Sequence, residues 1–116
     1  MKRVLILFFI VMFASARLAG NQLPATNPDT VWIKTSAQCE MCKETIEKAL
    51  AYERGVIASD LDLKTQRVRV VYHPGKTTPE KIRRAISKSG YDADEVMADP
   101  KAYRRLPRCC KKPQDR

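Results

Sequence analysis

The chain has 116 residues, but it holds no internal repeat and no apolar run of membrane-spanning length. Its longest greasy stretch, Val4 to Phe13, stops well short of the roughly 20 residues a bilayer demands, and Arg17 interrupts any extension. Asn21 follows Leu18-Ala19-Gly20, where a lipoprotein signal would need cysteine, so a lipid anchor at that point is excluded. Aromatic residues are scarce. The segment Gln66-Arg67-Val68-Arg69-Val70-Val71-Tyr72 lacks the interleaved aromatic platform on which RNA-recognition modules stack bases, which argues against a nucleic-acid partner. A chain this short has room for one domain with a small core, so a deep enzyme pocket is not expected and no catalysis is required.

Met1-Lys2-Arg3, the apolar run and the small residues Ala14-Ser15-Ala16 and Ala19-Gly20 have the layout of a cleavable secretory signal. The alternative is a membrane anchor, which the shortness of the run disfavours. The expected organisation is a signal over 1–20, a linker over 21–30, one domain over 31–98 and a basic cysteine-containing tail over 99–116. The expected location is periplasmic or extracellular.

Charge is unevenly placed. Of the net +9, Lys2, Arg3 and Arg17 lie in the signal region, while Asn21 to Pro100 carries 12 basic and 12 acidic residues. The surplus follows: Lys101, Arg104, Arg105, Arg108, Lys111, Lys112 and Arg116 face only Asp115. Such a tail suits an anionic surface or simply keeps itself solvated.

The four cysteines form two close pairs, Cys39/Cys42 and Cys109/Cys110. In an oxidising compartment an even count first suggests disulfides. Closing loops this small removes little chain entropy, so such bonds would stabilise a fold only weakly. The spacing points to chemistry rather than stapling.

Around these pairs the periodicity changes in a recognisable order. Val31 to Thr35 alternates as a strand. From Cys42, the residues Ile46, Ala49 and Leu50 recur at helical spacing with Lys43, Glu44, Glu47 and Lys48 on the other face, and Gly55 is placed to end that helix. Val56 to Leu63 and Gln66 to Tyr72 read as strands, and His73-Pro74-Gly75 as a turn. Thr78 and Pro79 are an N-cap and first helical residue for a helix with an Ile82, Ala85, Ile86 stripe, ended by Gly90. Tyr91 to Val96 is expected to be a polar edge strand. The order β-α-β-β-α-β predicts an α+β, ferredoxin-like sandwich: a four-stranded antiparallel sheet with two helices on one face.

The first strand, Ser36-Ala37-Gln38-Cys39-Glu40-Met41-Cys42-Lys43 and the amphipathic helix resemble the heavy-metal-associated domain of copper chaperones, copper-transporting ATPases and the periplasmic mercury-binding protein. Ala49-Leu50, Gly55-Val56 through Asp62-Leu63, and Ser89-Gly90-Tyr91-Asp92 extend the likeness over Val31 to Met97. The resemblance implies a small exported carrier whose Cys39 and Cys42 bind a soft cation, Cu(I) first, with Hg(II) and Zn(II) as alternatives. It implies a membrane metal transporter or another metal-carrying protein as partner, and a metal-bridged homodimer as an available state. It also implies that Tyr91 neighbours the site, core packing being the other reading. One departure stands out: the family's Gly-Met-Thr before the first cysteine is Ser36-Ala37-Gln38 here, which implies a repacked loop.

Independently of the resemblance, thiolates are soft donors matched to Cu(I), Hg(II) or Zn(II). Cys42 is expected in the first helical turn, where unpaired amides favour a negative charge, with Cys39 one step outside. Met41, between them, is a potential thioether ligand or a solvent-facing residue. In the tail, Asp99-Pro100 is expected to start a short helix to Leu106, with Pro107 presenting Cys109 and Cys110 among cations. These two are additional ligands, a vicinal disulfide, partners of the first pair or free thiols. A competing function is thiol–disulfide exchange by the same CxxC motif; the missing thioredoxin order and the carboxylate of Glu40 argue against it.

Overall fold

The computed structural model describes residues 27–116. The signal expected over 1–20 and most of the linker lie outside the described residues. Three strands, β1 (Asp29–Lys34), β2 (Val56–Asp62) and β3 (Arg67–Tyr72), form an antiparallel sheet in the order β1-β3-β2. Helices α1 (Glu40–Ala51) and α2 (Pro79–Lys88) pack against it, and a short α3 (Pro100–Arg104) with two 3-10 turns, Arg108–Cys110 and Pro113–Asp115, completes the chain. Among the described residues no helix is long and apolar enough to cross a membrane.

The sheet follows the period-2 rule. Val68, Val70 and Tyr72 of β3 point inward, and Ile33 and Leu61 both face Val68 from the flanking strands. Against them lie Ile46 and Leu50 of α1 and Ile82 and Ile86 of α2, all fully buried. Each such side chain contributes about 1.5–3 kcal/mol of transfer free energy. Thr78 caps α2 as its hydroxyl accepts from Lys81 N at 3.3 Å, with Pro79 in the first turn. β2 is an edge, and Glu47 Oε1 of α1 accepts the outward amide of Leu61 at 2.9 Å.

Three expectations are corrected. Gly55 does not cap α1, which ends at Ala51 with Tyr52 as its C-cap; the glycine lies farther on at φ +89°, its carbonyl accepting His73 N at 2.8 Å. Gln66 is not the first residue of β3 but a turn residue at φ +58°. The largest difference is the fourth strand. Tyr91 to Val96 makes only the isolated bridges Thr35↔Ala93 and Ala93↔Val96, so the described sheet has three strands, not four.

The cause is local. Ala93 and Val96 exchange two backbone hydrogen bonds, each 2.9 Å, which folds the segment onto itself. Asp94 takes a left-handed φ of +51° and clamps the end of β1, its N–H donating to Lys34 O at 2.8 Å and its Oδ1 accepting Lys34 N at 2.9 Å. Asp and Asn tolerate this region better than bulky residues do. The chain therefore turns beside the end of β1 rather than running the length of the sheet.

Candidate metal centre

The loop 35–39 leaves β1 and enters α1 at the end of the sheet opposite His73, which follows the last residue of β3. Polar bonds pin this loop where the sequence departs from the family pattern. Ala37 is fully buried, its N–H donates to Thr35 Oγ1 at 3.2 Å, and its carbonyl accepts Gln66 Nε2 at 2.7 Å. Gln66 O in turn accepts both Thr35 N and Thr35 Oγ1, at 2.8 and 2.9 Å. Ser36 Oγ accepts Asp92 N at 2.9 Å. The repacked loop is thus buttressed by the β2–β3 turn on one side and by the segment after α2 on the other.

Cys39 is the N-cap of α1 in extended conformation (φ −151°, ψ 173°), and its side chain caps no amide. Glu40 and Met41 follow, so Cys42 falls in the first turn, facing inward and fully buried. One helical turn brings the two sulfurs to 3.2 Å. The unspent first-turn amides supply a positive field at this pair.

The tail pair arrives at the same place. Cys39 Sγ lies 3.5 Å from Cys109 Sγ and 3.5 Å from Cys110 Sγ. The sulfurs of Cys39, Cys42 and Cys110 all lie within 4.8 Å of one another, and Cys110 is only 1% exposed. Cys109 is exposed, 3.8 Å from the thioether sulfur of Met41, which is itself half-exposed. All four thiols are free. A mononuclear soft-ion site needs sulfurs at such spacings, and in this fold they come from two segments about seventy residues apart.

The electrostatics are unequal. Burial works against ionising Cys39, yet sulfur hydrogen bonds from Cys42, Cys109 and Cys110 lower its thiol to about 7. Burial pushes Cys110 up, and the neighbouring Cys42 adds to the rise. Cys109 is raised chiefly by its hydrogen bond with Cys39. The acidic thiol is therefore the N-cap residue. A bound cation would displace the remaining thiol protons, since metal ligation releases them.

Tyr91 is fully buried and packs in the same core cluster as Cys42 and Cys110. Burial raises its hydroxyl, with Cys110 and Cys42 as the neighbouring groups, and no nitrogen or oxygen partner satisfies it.

Several residues that hold the site were not singled out in the sequence. Gln66 props the loop; Asp92 and Lys112 pair at 2.7 Å (Nζ to Oδ2) and tie the tail down. Tyr103 hydroxyl accepts Lys112 N at 3.0 Å and donates to Asp115. In the sequence Lys112 stood out only as a tail cation and Asp92 only within the Ser89–Asp92 likeness.

Residues 35–92, half of the chain, match the heavy-metal-associated domain. The copper chaperone CopZ of Staphylococcus epidermidis is 41% identical over 54 residues, which cover 47% of this chain and 79% of that protein. A copper-exporting P-type ATPase of Staphylococcus aureus is 37% identical over 59 residues, 51% of this chain but 7% of that protein. Among solved structures, a CopZ metallochaperone aligns with TM-score 0.54 and 29% identity, over 56% of this chain and 98% of its own. Oxidised MerP from Ralstonia metallidurans CH34 aligns with TM-score 0.56 and 26% identity, over 59% of this chain and 96% of its own. The matched family region ends at residue 92, so Cys109 and Cys110 lie outside it.

Proposed function

Because the chain belongs to the heavy-metal-associated domain family, we propose that it is an exported carrier that holds Cu(I) between Cys39 and Cys42 and passes it to another metal-binding protein. The observation that carries this reading is the 3.2 Å separation of the two sulfurs at the N-terminus of α1. Two soft donors brought side by side suit a monovalent thiophilic ion, and the hard cations that prefer oxygen find no carboxylate in the cluster. Copper is favoured over mercury and zinc because the similar proteins at 41% and 37% identity are a copper chaperone and a copper-exporting ATPase. An ATPase of that kind is the class of membrane partner we infer. Export rests on the N-terminal layout of Met1 to Gly20 alone.

Transfer follows from the ligand type. Thiolate–metal bonds exchange by attack of an incoming thiolate, so a partner carrying its own cysteine pair takes the ion without releasing it to water. Within this pair Cys39 is the more accessible thiol, while Cys42 is buried.

Anaerobic titration of the reduced protein with Cu(I), Zn(II) and Hg(II), in competition with a chelator and read by native mass spectrometry, tests the proposal. One Cu(I) per chain is expected, bound far more tightly than by a Cys39→Ser/Cys42→Ser control. Equal affinity in protein and control would sink the reading.

A further inference from the structure

We propose that residues 99–116 form a strap that supplies Cys110 as a third thiolate to the cation, closing the site from within the chain. The inference rests on the carrier reading above and deepens it, because it states how the ion is retained and what must move for it to leave.

Three observations support the strap as a built part of the site. First, it is docked by specific contacts rather than lying loose. Asp99 N donates to Ser87 O at 3.0 Å, and Lys112 Nζ meets Asp92 Oδ2 at 2.7 Å. Gly90, at φ +104°, lets α3 approach so closely that a Cβ there would meet Ala102 O and Leu106 Cδ2, both at 3.1 Å. Second, the strap delivers Cys110 rather than Cys109 to the interior. Cys110 is 1% exposed and completes a triangle of sulfurs with Cys39 and Cys42, while Cys109 stays at the solvent edge beside Met41. Third, the hydroxyl of Tyr91 is fully buried with no hydrogen-bond partner, in the same core cluster as Cys42 and Cys110. A buried donor of this kind is costly when unpaired, and it gains a charge-assisted acceptor once those sulfurs are thiolates.

The chemistry involves no change of oxidation state. As the ion enters, each of the three thiols gives its proton to solvent and its sulfur forms a bond to the metal. A two-coordinate ion is open to a third thiolate from a partner. Here that position is filled by Cys110, so an acceptor must displace it, and undocking of the strap precedes or accompanies transfer. The tail cations, Arg108 and Lys111 on either side of the cysteine pair in sequence, offset the net negative charge of three thiolates on a monovalent ion.

X-ray absorption of the full chain loaded anaerobically with one equivalent of Cu(I) tests the proposal. Three sulfur neighbours are expected in the wild type and in Cys109→Ser, and two in Cys110→Ser, with at least about tenfold weaker retention against a chelator in the last. Lys112→Ala, which touches no sulfur, is expected to speed loss of Cu(I) to the chelator severalfold. Two sulfurs in the wild type, or three retained in Cys110→Ser, overturn the strap while leaving the carrier intact. Failure of the wild type to bind more tightly than Cys39→Ser/Cys42→Ser overturns the carrier itself.

Discussion

The two cysteine pairs are alike in composition and in their division into one inward and one outward thiol, yet they reach the same point by unlike means. Cys39 and Cys42 are placed by regular structure: a strand end, a helix N-cap and one helical turn. Their positions follow from the hydrophobic core beneath α1. Cys109 and Cys110 sit on a 3-10 turn that follows Pro107 and is held by a handful of polar contacts and one close helix approach. The first pair is therefore as stable as the fold, whereas the second is only as stable as the docking of the strap. A carrier must both keep and surrender its ion, and this division assigns keeping to the body and surrender to the tail.

Breaking the body should remove both pairs together. Leu50 is fully buried in the core cluster, so Leu50→Ala leaves a cavity and is expected to cost about 2–5 kcal/mol. In a domain of this size each kcal/mol lowers Tm by about 4–8 °C. Thermal unfolding followed by circular dichroism measures the loss, and Cu(I) retention should collapse in parallel. A stable Leu50→Ala protein with normal retention would mean that the first pair does not depend on the core.

Breaking the strap should separate the pairs. Gly90→Ala places a Cβ 3.1 Å from Ala102 O at a left-handed backbone position, where a non-glycine residue costs about 1–2 kcal/mol. Amides of Lys101–Leu106 and Cys110 are expected to exchange with deuterium about ten times faster, while Ile46 and Leu50 remain protected. Equal acceleration in both regions would show that body and strap open as one unit, and the comparison drawn above would fail.

What could be read from the sequence divides along the same line. The alternation of Val68, Val70 and Tyr72, the Thr78-Pro79 start, the Gly90 stop and the CxxC at a helix entrance are local patterns, set by periods of 2 and 3.6 and by capping. They set the order of the first five elements and the placement of Cys39 and Cys42, whereas the place of Tyr91 came from the family resemblance. The expected fourth strand failed because its outcome depends on a pairing sixty residues away: Asp94 prefers the end of β1 to a ladder, and Ala93 turns back on Val96. Gln66 was invisible as a support because its role lies in a side-chain bond to a carbonyl across the site. The tail showed thiol chemistry through Cys109 and Cys110 but not its address, since docking rests on Asp92 with Lys112 and on the fit of Ala102 and Leu106 to Gly90. Such long-range polar and steric matches carry no period that one sequence can display.

The smallest expected effect lies in the ion pair that latches the strap. Burial alone would raise Asp92, but Lys112 Nζ and the Ala98 amide hold its carboxyl below the ordinary aspartate range. A carboxyl lowered in the folded state stabilises docking above its unfolded pKa, about 3.9. That stabilisation fades as pH falls through the lower folded value. Tyr103, Met97 and Asp115 line the same recess, and Asp115 is occupied by the Tyr103 hydroxyl, so Asp92 is the partner that Lys112 loses on acidification. Both groups remain about a quarter exposed, which limits the pair to about 1 kcal/mol and makes it sensitive to salt. Hydrogen exchange of strap amides, corrected for intrinsic rates, should rise as pH falls below about 4 in the wild type. In Lys112→Ala the strap should be looser at every pH and its rise over that interval markedly flatter. If the variant retains the full wild-type slope, the latch is held elsewhere, by the close packing at Gly90 and the Asp99 N–Ser87 O bond.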